Sequence, residues 1–202
     1  MTPVEETEDQ RRVRGARARQ RIARRAVDIA SLEGLTGLSL GRLATELELS
    51  KSGIQTLFKT KENLQLAAAD VALAEFTTAV LLPAQDAPDG AARLRALTER
   101  WLAYAGTPLF TGGCFWSATL PDFDSRPGPV RDVLLAQHNA WLDHLAGRLR
   151  HAVDAGEIAA LDPDLTAFQL DAVFSAANTA MRLGDRDAAG KVRRTVEGIL
   201  AR

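Results

Sequence analysis

The residues of this 202-residue sequence that could do covalent chemistry are few, and each has a plain alternative. Cys114, the lone cysteine, and His138 could serve as a nucleophile and its general base. The opposing reading is that Cys114, set between Gly113 and Phe115, is a small buried apolar residue. A redox-sensing thiol is the third option, although nothing basic adjoins Cys114 to lower its pKa. His144 and His151 share a helix face, but a metal ion would need a third ligand that the sequence does not offer. No Gly-rich phosphate loop, His-Glu-x-x-His, Gly-x-Ser-x-Gly or calcium loop occurs. The expectation is a chain with no catalytic residue, no metal and no cofactor.

A recognition chemistry is much better supported. Between Ser39 and Lys61, hydrogen-bonding and cationic side chains alternate with apolar ones at helical spacing. Leu40, Leu43, Ala44 and Leu47 fall at i, i+3, i+4 and i+7, the buried face of one short helix. Ser50 is a good N-cap for the next, because its hydroxyl can accept from an orphan amide. Ile54, Leu57 and Phe58 form the inward face of that second helix, leaving Lys51, Ser52, Gln55, Thr56 and Lys59 outward. Two short helices that bury one corner and show a small polar face describe a helix-turn-helix, whose second helix enters the DNA major groove. Any helical hairpin in a bundle satisfies the same apolar pattern. At the turn, where Gly is frequent, the chain has Glu48, which costs stability if the backbone there is left-handed. The candidate DNA contacts are Arg17, Ser39, Arg42, Ser50, Lys51, Ser52, Gly53, Gln55, Thr56, Lys59 and Lys61.

The charge distribution points the same way. Net charge is only −1, but residues 10–64 hold twelve Lys and Arg against five Asp and Glu, a balance of +7. Residues 1–9 and 65–202 each carry −4. A basic N-terminal quarter on an acidic body is the footprint of a nucleic-acid-binding head. Eight arginines lie between Arg11 and Arg25. Arg11, Arg12, Arg14 and Arg17 suit an arm that neutralises phosphates, whereas Arg21, Arg24 and Arg25 fit a solvated helix face at least as well. Hydrophobic residues at 46% and charged ones at 25% are ordinary for a globular protein. A single cysteine, no apolar leader in residues 1–20 and no uninterrupted run of ~18 apolar residues predict a cytoplasmic protein that uses no membrane.

The elements that must position these residues read as helices throughout. After an acidic, disordered lead over residues 1–10, helix 1 is expected from about Ala18 to Glu33, with Ile22, Ala26, Ile29 and Ala30 buried and Gly34 ending it. Thr60 caps a long fourth helix that reaches Pro83. Breaker-rich loops at 83–90, 106–113 and 121–129 separate further helices over about 91–105, 114–120, 130–155, 163–183 and 187–200. No strand-like alternation of useful length appears, so the expected fold is all-α with about nine helices.

The segment from Arg17 to Leu66 resembles the DNA-binding domain of the TetR (tetracycline repressor) family of bacterial transcription regulators. The resemblance is carried by the Arg-rich entry into helix 1, the Leu40–Leu47 helix, Leu49-Ser50-Lys51-Ser52-Gly53-Ile54 and Phe58-Lys59-Thr60-Lys61-Glu62-Asn63-Leu64. Two positions depart from the family pattern: Glu48 for the usual turn Gly, and Gln55 where Tyr is usual. The segments Gly112–Trp116 and Arg126–Arg131 resemble a subgroup of the family, which names no ligand. The resemblance implies a flexible arm over 1–16, a helix-turn-helix domain over 17–64, and a ligand-binding and dimerisation domain over 65–202. It implies a cavity lined by aromatic and polar side chains, for which Trp101, Tyr104, Phe115, Trp116, His138, Trp141, Phe174 and Asn178 are the candidates, with Gln137 as a further polar group. Helix 8 is rich in small residues and helix 9 carries an apolar stripe. Ala172, Ala176, Val192, Val196 and Leu200 are therefore expected to form a four-helix interface between two copies. The expected function is a homodimeric repressor released from a palindromic operator in double-stranded DNA by a small apolar effector. The alternatives are a redox regulator acting through Cys114 and, remotely, a Cys/His enzyme.

Overall fold

The computed structural model describes residues 8–201, with side chains from residue 10 onward. Nine helices hold most of the described residues, and none of these residues is in a strand. They are α1 (Glu8–Glu33), α2 (Leu40–Glu46), α3 (Lys51–Phe58), α4 (Lys61–Phe76), α5 (Ala91–Gly106), α6 (Phe115–Phe123), α7 (Pro129–Asp154), α8 (Pro163–Arg182) and α9 (Ala188–Ile199). A 3-10 turn, Leu35–Gly37, joins α1 to α2. The expected disordered lead lies outside the described residues as far as residue 7. Beyond it the expectation fails, because α1 starts at Glu8 and carries Arg11, Arg12, Arg14 and Arg17 on a helix instead of an arm.

Local chemistry sets the short N-terminal helices. Ser39 Oγ accepts from the Arg42 amide at 3.1 Å, Ser50 Oγ from Gly53 at 3.0 Å and Thr60 Oγ1 from Asn63 at 3.1 Å. Caps of this kind are each worth about 1 kcal/mol. Two non-glycine residues with positive φ turn the chain at the ends of α2 and α3: Glu48 at 53° and Lys59 at 64°. The cost anticipated at Glu48 is therefore present.

α1 is the spine of the head. Ile22, Ala26, Ile29 and Ala30 are at most 1% exposed, as the periodicity predicts. Its inward face packs on α4 and on α6, which ties the head to the body. α4 continues through a π-helical turn, Thr77–Leu81, into a last short segment, Leu82–Ala84. The wider register, with the Leu82 amide donating to the Thr77 carbonyl, falls just before Pro83. Proline has no N–H and its ring crowds the carbonyl four residues back, so the loosened turn accommodates it. The 24-residue stretch Lys61–Ala84 is long and apolar enough to cross a membrane by length and composition. Here it packs among α1, α5 and α7 as a core helix.

α7 and α8 form the largest helix pair of the body, and α9 lies across α8 and α5. That placement corrects the expected interface. Val192, Val196 and Leu200 are between 0% and 4% exposed within one chain. Their periodicity correctly marked a buried face, but the covering surface is intramolecular. The outward side of α9 is charged instead, with Arg193 bound to Glu99 and Glu197 bound to Arg95, both at 2.7 Å. Ala172 and Ala176 on α8 are exposed.

Candidate DNA interface and effector cavity

The exposed face of α3 gathers Lys51, Ser52, Gly53, Gln55 and Thr56, with Lys59 just past its end. Ile54 and Phe58 anchor the opposite face, both at most 1% exposed. Lys51 and Lys59 make no ion pair among the described residues, so their charges are available. Thr56 donates its hydroxyl proton to its own helix at Ser52 O, 2.9 Å, and Gln55 Nε2 makes only a long contact to Lys59 O at 3.4 Å. The Gln55 amide is thus nearly free to offer the paired donor and acceptor that read an adenine edge.

Other candidates on the head already have partners. Ser39 and Ser50 are the caps described above. Lys61, though exposed, donates to the Thr36 carbonyl at 2.7 Å. Arg42 lies between Glu33 (Nη2 to Oε1, 2.8 Å) and Glu46 (Nε to Oε1, 2.8 Å). The hydrogen bonds to Arg42 hold both carboxyls below their usual range, and those carboxylates raise Arg42 in turn. A phosphate would have to compete with two carboxylates for this guanidinium. Arg17 is exposed on α1.

Further arginines of the N-terminal run hold the head together. Arg19 donates to the Leu57 carbonyl at 2.7 Å and lies 4.6 Å over the Phe58 ring, fixing the end of α3 to α1. Arg25 pairs with Glu46 at 2.7 Å. Arg24 reaches out of the head: it pairs with Asp28 at 2.9 Å and Glu75 at 2.8 Å and donates to the Leu109 carbonyl at 2.8 Å.

The body encloses a cavity of about 130 Å³ that opens to solvent. Its wall is largely aromatic: Phe76 of α4, Trp101 of α5, Trp116 of α6, Trp141 of α7 and Phe174 of α8. Phe76 meets Trp116 and Trp141 edge-on at 5.2 and 5.6 Å, while Trp101 stacks on Phe174 at 4.7 Å. Such pairs prefer these offset and edge geometries, and they fix the shape of the wall. The polar groups are Ser117, Gln137, His138, His144, Asp171 and Ser175. Gln137 accepts from the Trp116 indole at 3.1 Å and donates to the Ala69 carbonyl of α4 at 3.3 Å. His138 Nε2 stands 3.8 Å from Asp171 Oδ2 across the α7–α8 contact. Burial raises the Asp171 carboxyl, and His138 and the Trp141 indole offset this only in part. His144, stacked on Trp141, is pulled below its usual value by burial and by the nearby Arg148 and Arg93.

Residues 90–196, which include most of the cavity wall, match the family described as tetracyclin repressor-like, C-terminal domain. The chain belongs to the TetR family.

No curated protein matches the sequence significantly. Solved TetR-like structures match the fold over nearly the whole chain. AibR, in complex with isovaleryl coenzyme A and operator DNA, is 20% identical, covering 90% of this chain and 98% of its own, with a TM-score of 0.72. A TetR transcriptional regulator from Chloroflexus aurantiacus is 22% identical over 93% of this chain and 94% of its own, with a TM-score of 0.81. A transcriptional regulator from Saccharomonospora viridis in complex with choline is 20% identical over 91% of this chain and 95% of its own, with a TM-score of 0.73. The TetR architecture of a helix-turn-helix head on an all-α body is therefore that of this chain.

Within the TetR body, Trp101, Trp116, His138, Trp141 and Phe174 line the cavity, and Gln137 joins them. Tyr104, Phe115 and Asn178 do not. Phe115 is wholly buried in the core. Tyr104 is occupied by accepting the Phe115 amide at 2.9 Å, and its burial pushes the phenol well above its usual range. Asn178 accepts the Cys114 amide at 2.9 Å, which fixes the entry into α6. Cys114 contributes a buried thiol to the wall, close to the Tyr104 hydroxyl. No basic group of the kind that activates a thiol adjoins it in sequence. Sequence reasoning missed Phe76, His144 and Asp171. Phe76 is the lone aromatic of α4, and His144 lies one turn from Trp141 on α7. Asp171 carried a usable signal, an acid three residues before Phe174 on the same helical face.

Proposed function

We propose that this TetR-family protein is a homodimeric repressor, in which residues 17–64 bind one half of a palindromic operator and residues 65–202 bind a small, largely apolar effector and dimerise. It acts as a regulator in the cytoplasm and not as an enzyme. The observation that carries the reading is the face of α3: six consecutive-turn positions, Lys51, Ser52, Gly53, Gln55, Thr56 and Lys59, exposed together on a helix whose other side is fully buried. That is the arrangement a recognition helix needs, with charges for phosphates and an amide for a base edge. Arg17 adds a phosphate contact from α1, while Ser39, Ser50, Arg42 and Lys61 serve mainly to hold the head in shape.

The dimer surface in this reading is the exposed stripe of α8. Leu165, Phe168, Ala172, Ser175, Ala176 and Thr179 share one side of the helix, and Leu183 follows at its end. Leu165 and Phe168 are 54% and 63% exposed, large apolar side chains that a second copy would cover. To read a palindrome, two-fold pairing of α8 has to hold the two α3 helices about one helical turn of DNA apart, ~34–36 Å, or a multiple of it. The neighbours with bound ligands hold an acyl coenzyme A in one case and choline in the other, so the fold accommodates varied effectors.

The test is DNA binding by the full chain, followed by fluorescence anisotropy over a salt series. Affinity for duplex DNA should fall linearly in log–log form with salt, and Lys51→Ala and Lys59→Ala should each reduce the slope by about 1. Gln55→Ala should change preference at one base position by ~1–3 kcal/mol. Lys51→Ala and Lys59→Ala variants with unaltered slopes would remove α3 from the DNA interface.

A further inference from the structure

We propose that the effector is an organic cation, a quaternary ammonium or protonated amine on a one-ring apolar body, held by Asp171 within the cage of Trp101, Trp116, Trp141, Phe76 and Phe174. This rests on the reading of the cavity as the effector site and specifies what that site takes.

The charge on the cavity wall selects the sign. No lysine or arginine lines the cavity, and Asp171 supplies its one carboxylate. The two histidines of the wall do not cancel that charge well. His138 approaches Asp171 only to 3.8 Å, beyond hydrogen-bonding distance. His144 is stacked flat against Trp141, with planes 12° apart, and burial disfavours its charged form. Burial raises the pKa of the carboxyl, and His138 and a hydrogen bond from Trp141 offset this only in part. A ligand cation would supply the full counter-charge that the wall lacks, whereas an anion would meet Asp171 and a row of π-faces, both repulsive to it.

The geometry of the rings points to the same class. Cation recognition uses ring faces, and Trp offers the strongest. All three tryptophans of the chain stand on this one wall. Phe76 meets Trp116 and Trp141 nearly at right angles (70° and 87°), so the three rings form adjoining sides of a box instead of a flat stack. The size is set by the volume. At about 130 Å³ the cavity is comparable to an engineered cavity of about 150 Å³ that takes benzene. One ring fills it, and because the cavity opens to solvent a small ammonium group can extend beyond the ring along the wall that carries Asp171 and Ser175.

The experiment compares phenyltrimethylammonium with tert-butylbenzene, its neutral isostere, on the full-length protein. Because every tryptophan lines the cavity, the emission spectrum reports on this site alone, and calorimetry gives the affinities. The ammonium should bind at least about tenfold tighter than the isostere, and Asp171→Asn should reduce that preference several-fold, to what the rings alone supply, while leaving tert-butylbenzene binding unchanged. Equal binding of the two probes to the unmutated protein would overturn the cation assignment and leave the cavity as an apolar effector site. A preference undiminished in Asp171→Asn would also overturn it, by removing the carboxylate from recognition. If neither probe binds or perturbs the tryptophans, the reading of the cavity as an effector site fails as well. The comparison on the unmutated protein stands even if Asp171→Asn disturbs the α7–α8 contact.

Discussion

Replacing Glu48 with glycine is expected to stabilise this protein, because the turn of its helix-turn-helix holds a non-glycine residue at φ 53°. The backbone there is committed: the Leu49 amide donates to Ala44 O at 2.9 Å and the Glu48 amide to Thr45 O at 3.3 Å, closing α2. The Glu48 side chain is exposed and has no hydrogen bond or ion pair among the described residues, so the substitution removes no contact. A left-handed L-residue costs ~1–2 kcal/mol. Glycine's greater freedom in the unfolded chain takes back ~0.4–1 kcal/mol. The net is a gain of about 0.5–1 kcal/mol, or ~1–4 °C in Tm for a chain of this size. Glu48→Gln separates strain from charge, since it keeps the Cβ and removes the carboxylate. Urea unfolding followed by helical ellipticity should show the gain for Gly and none for Gln. Anisotropy with a labelled duplex at low salt should show both variants binding more tightly, and equally so, because each removes a negative charge beside α3. A destabilised Glu48→Gly, or a Gln variant as stable as the Gly variant, would refute the strain argument.

Phe168→Glu should convert the dimer to a folded monomer, because it places a carboxylate at the centre of the proposed α8 interface without touching the core; an unchanged mass by light scattering on a sizing column would put the interface elsewhere. Acidification should destabilise the body through His144, whose folded pKa lies below its ordinary value of 6.5. The unfolded chain then binds more protons than the native one just below pH 6.5, so stability is complete above that pH and declines as pH falls through the window beneath it. His144→Gln should flatten that decline in thermal melts at pH 7.5, 6.5 and 5.5, and an identical slope would show that other groups cause it.

What the sequence discloses about this fold depends on how local the deciding interactions are. The helix-turn-helix was legible because caps, turns and apolar spacing all act within a few residues, as at Ser39, Ser50 and Thr60. The start of α1 was not, since residues 8–16 carry helix-compatible Arg, Gln and Ala but almost no apolar periodicity to announce a packed face. The stripe Val192, Val196 and Leu200 told of burial and was silent about what does the burying. Among the aromatics, residue type could not separate Trp116, which faces the cavity, from its neighbour Phe115, which turns into the core. Arg24 and Arg25 show the reverse case: cations that composition assigned to a solvated face have specific carboxylate partners supplied by distant helices. Asp171 was passed over because a single acid on a helix is ordinary until the opposite wall is known to be aromatic.

Hydrogen bonds join the helices of the cavity wall to one short turn of the head. α4 and α6 each contribute to the cavity wall, through Leu73 and Phe76 on the one and Trp116, Ser117 and Leu120 on the other. Both also reach the 3-10 turn Leu35–Gly37, which leads directly into α2. From α4, Lys61 donates to the Thr36 carbonyl at 2.7 Å and Gln65 to the Leu35 carbonyl at 2.9 Å. From α6, Asp122 accepts from the Thr36 hydroxyl at 3.1 Å and its amide at 3.3 Å. The loop before α6 is pressed against the end of α1 so closely that a Cβ on Gly112 would lie 2.0 Å from the Ser31 carbonyl oxygen. Gln137 links the two helices at the cavity itself, bridging Trp116 to Ala69 O. An effector lodged against Trp116 would therefore press on α4 and α6 together, and their hold on Thr36 would change if they shifted unequally. Allosteric coupling is typically ~1–3 kcal/mol. A hydrogen bond to a charged group is worth ~1.5–3 kcal/mol. Exchanging one or two of the contacts at Thr36 between two packings is enough to account for coupling of that size, and no larger rearrangement of the body is required.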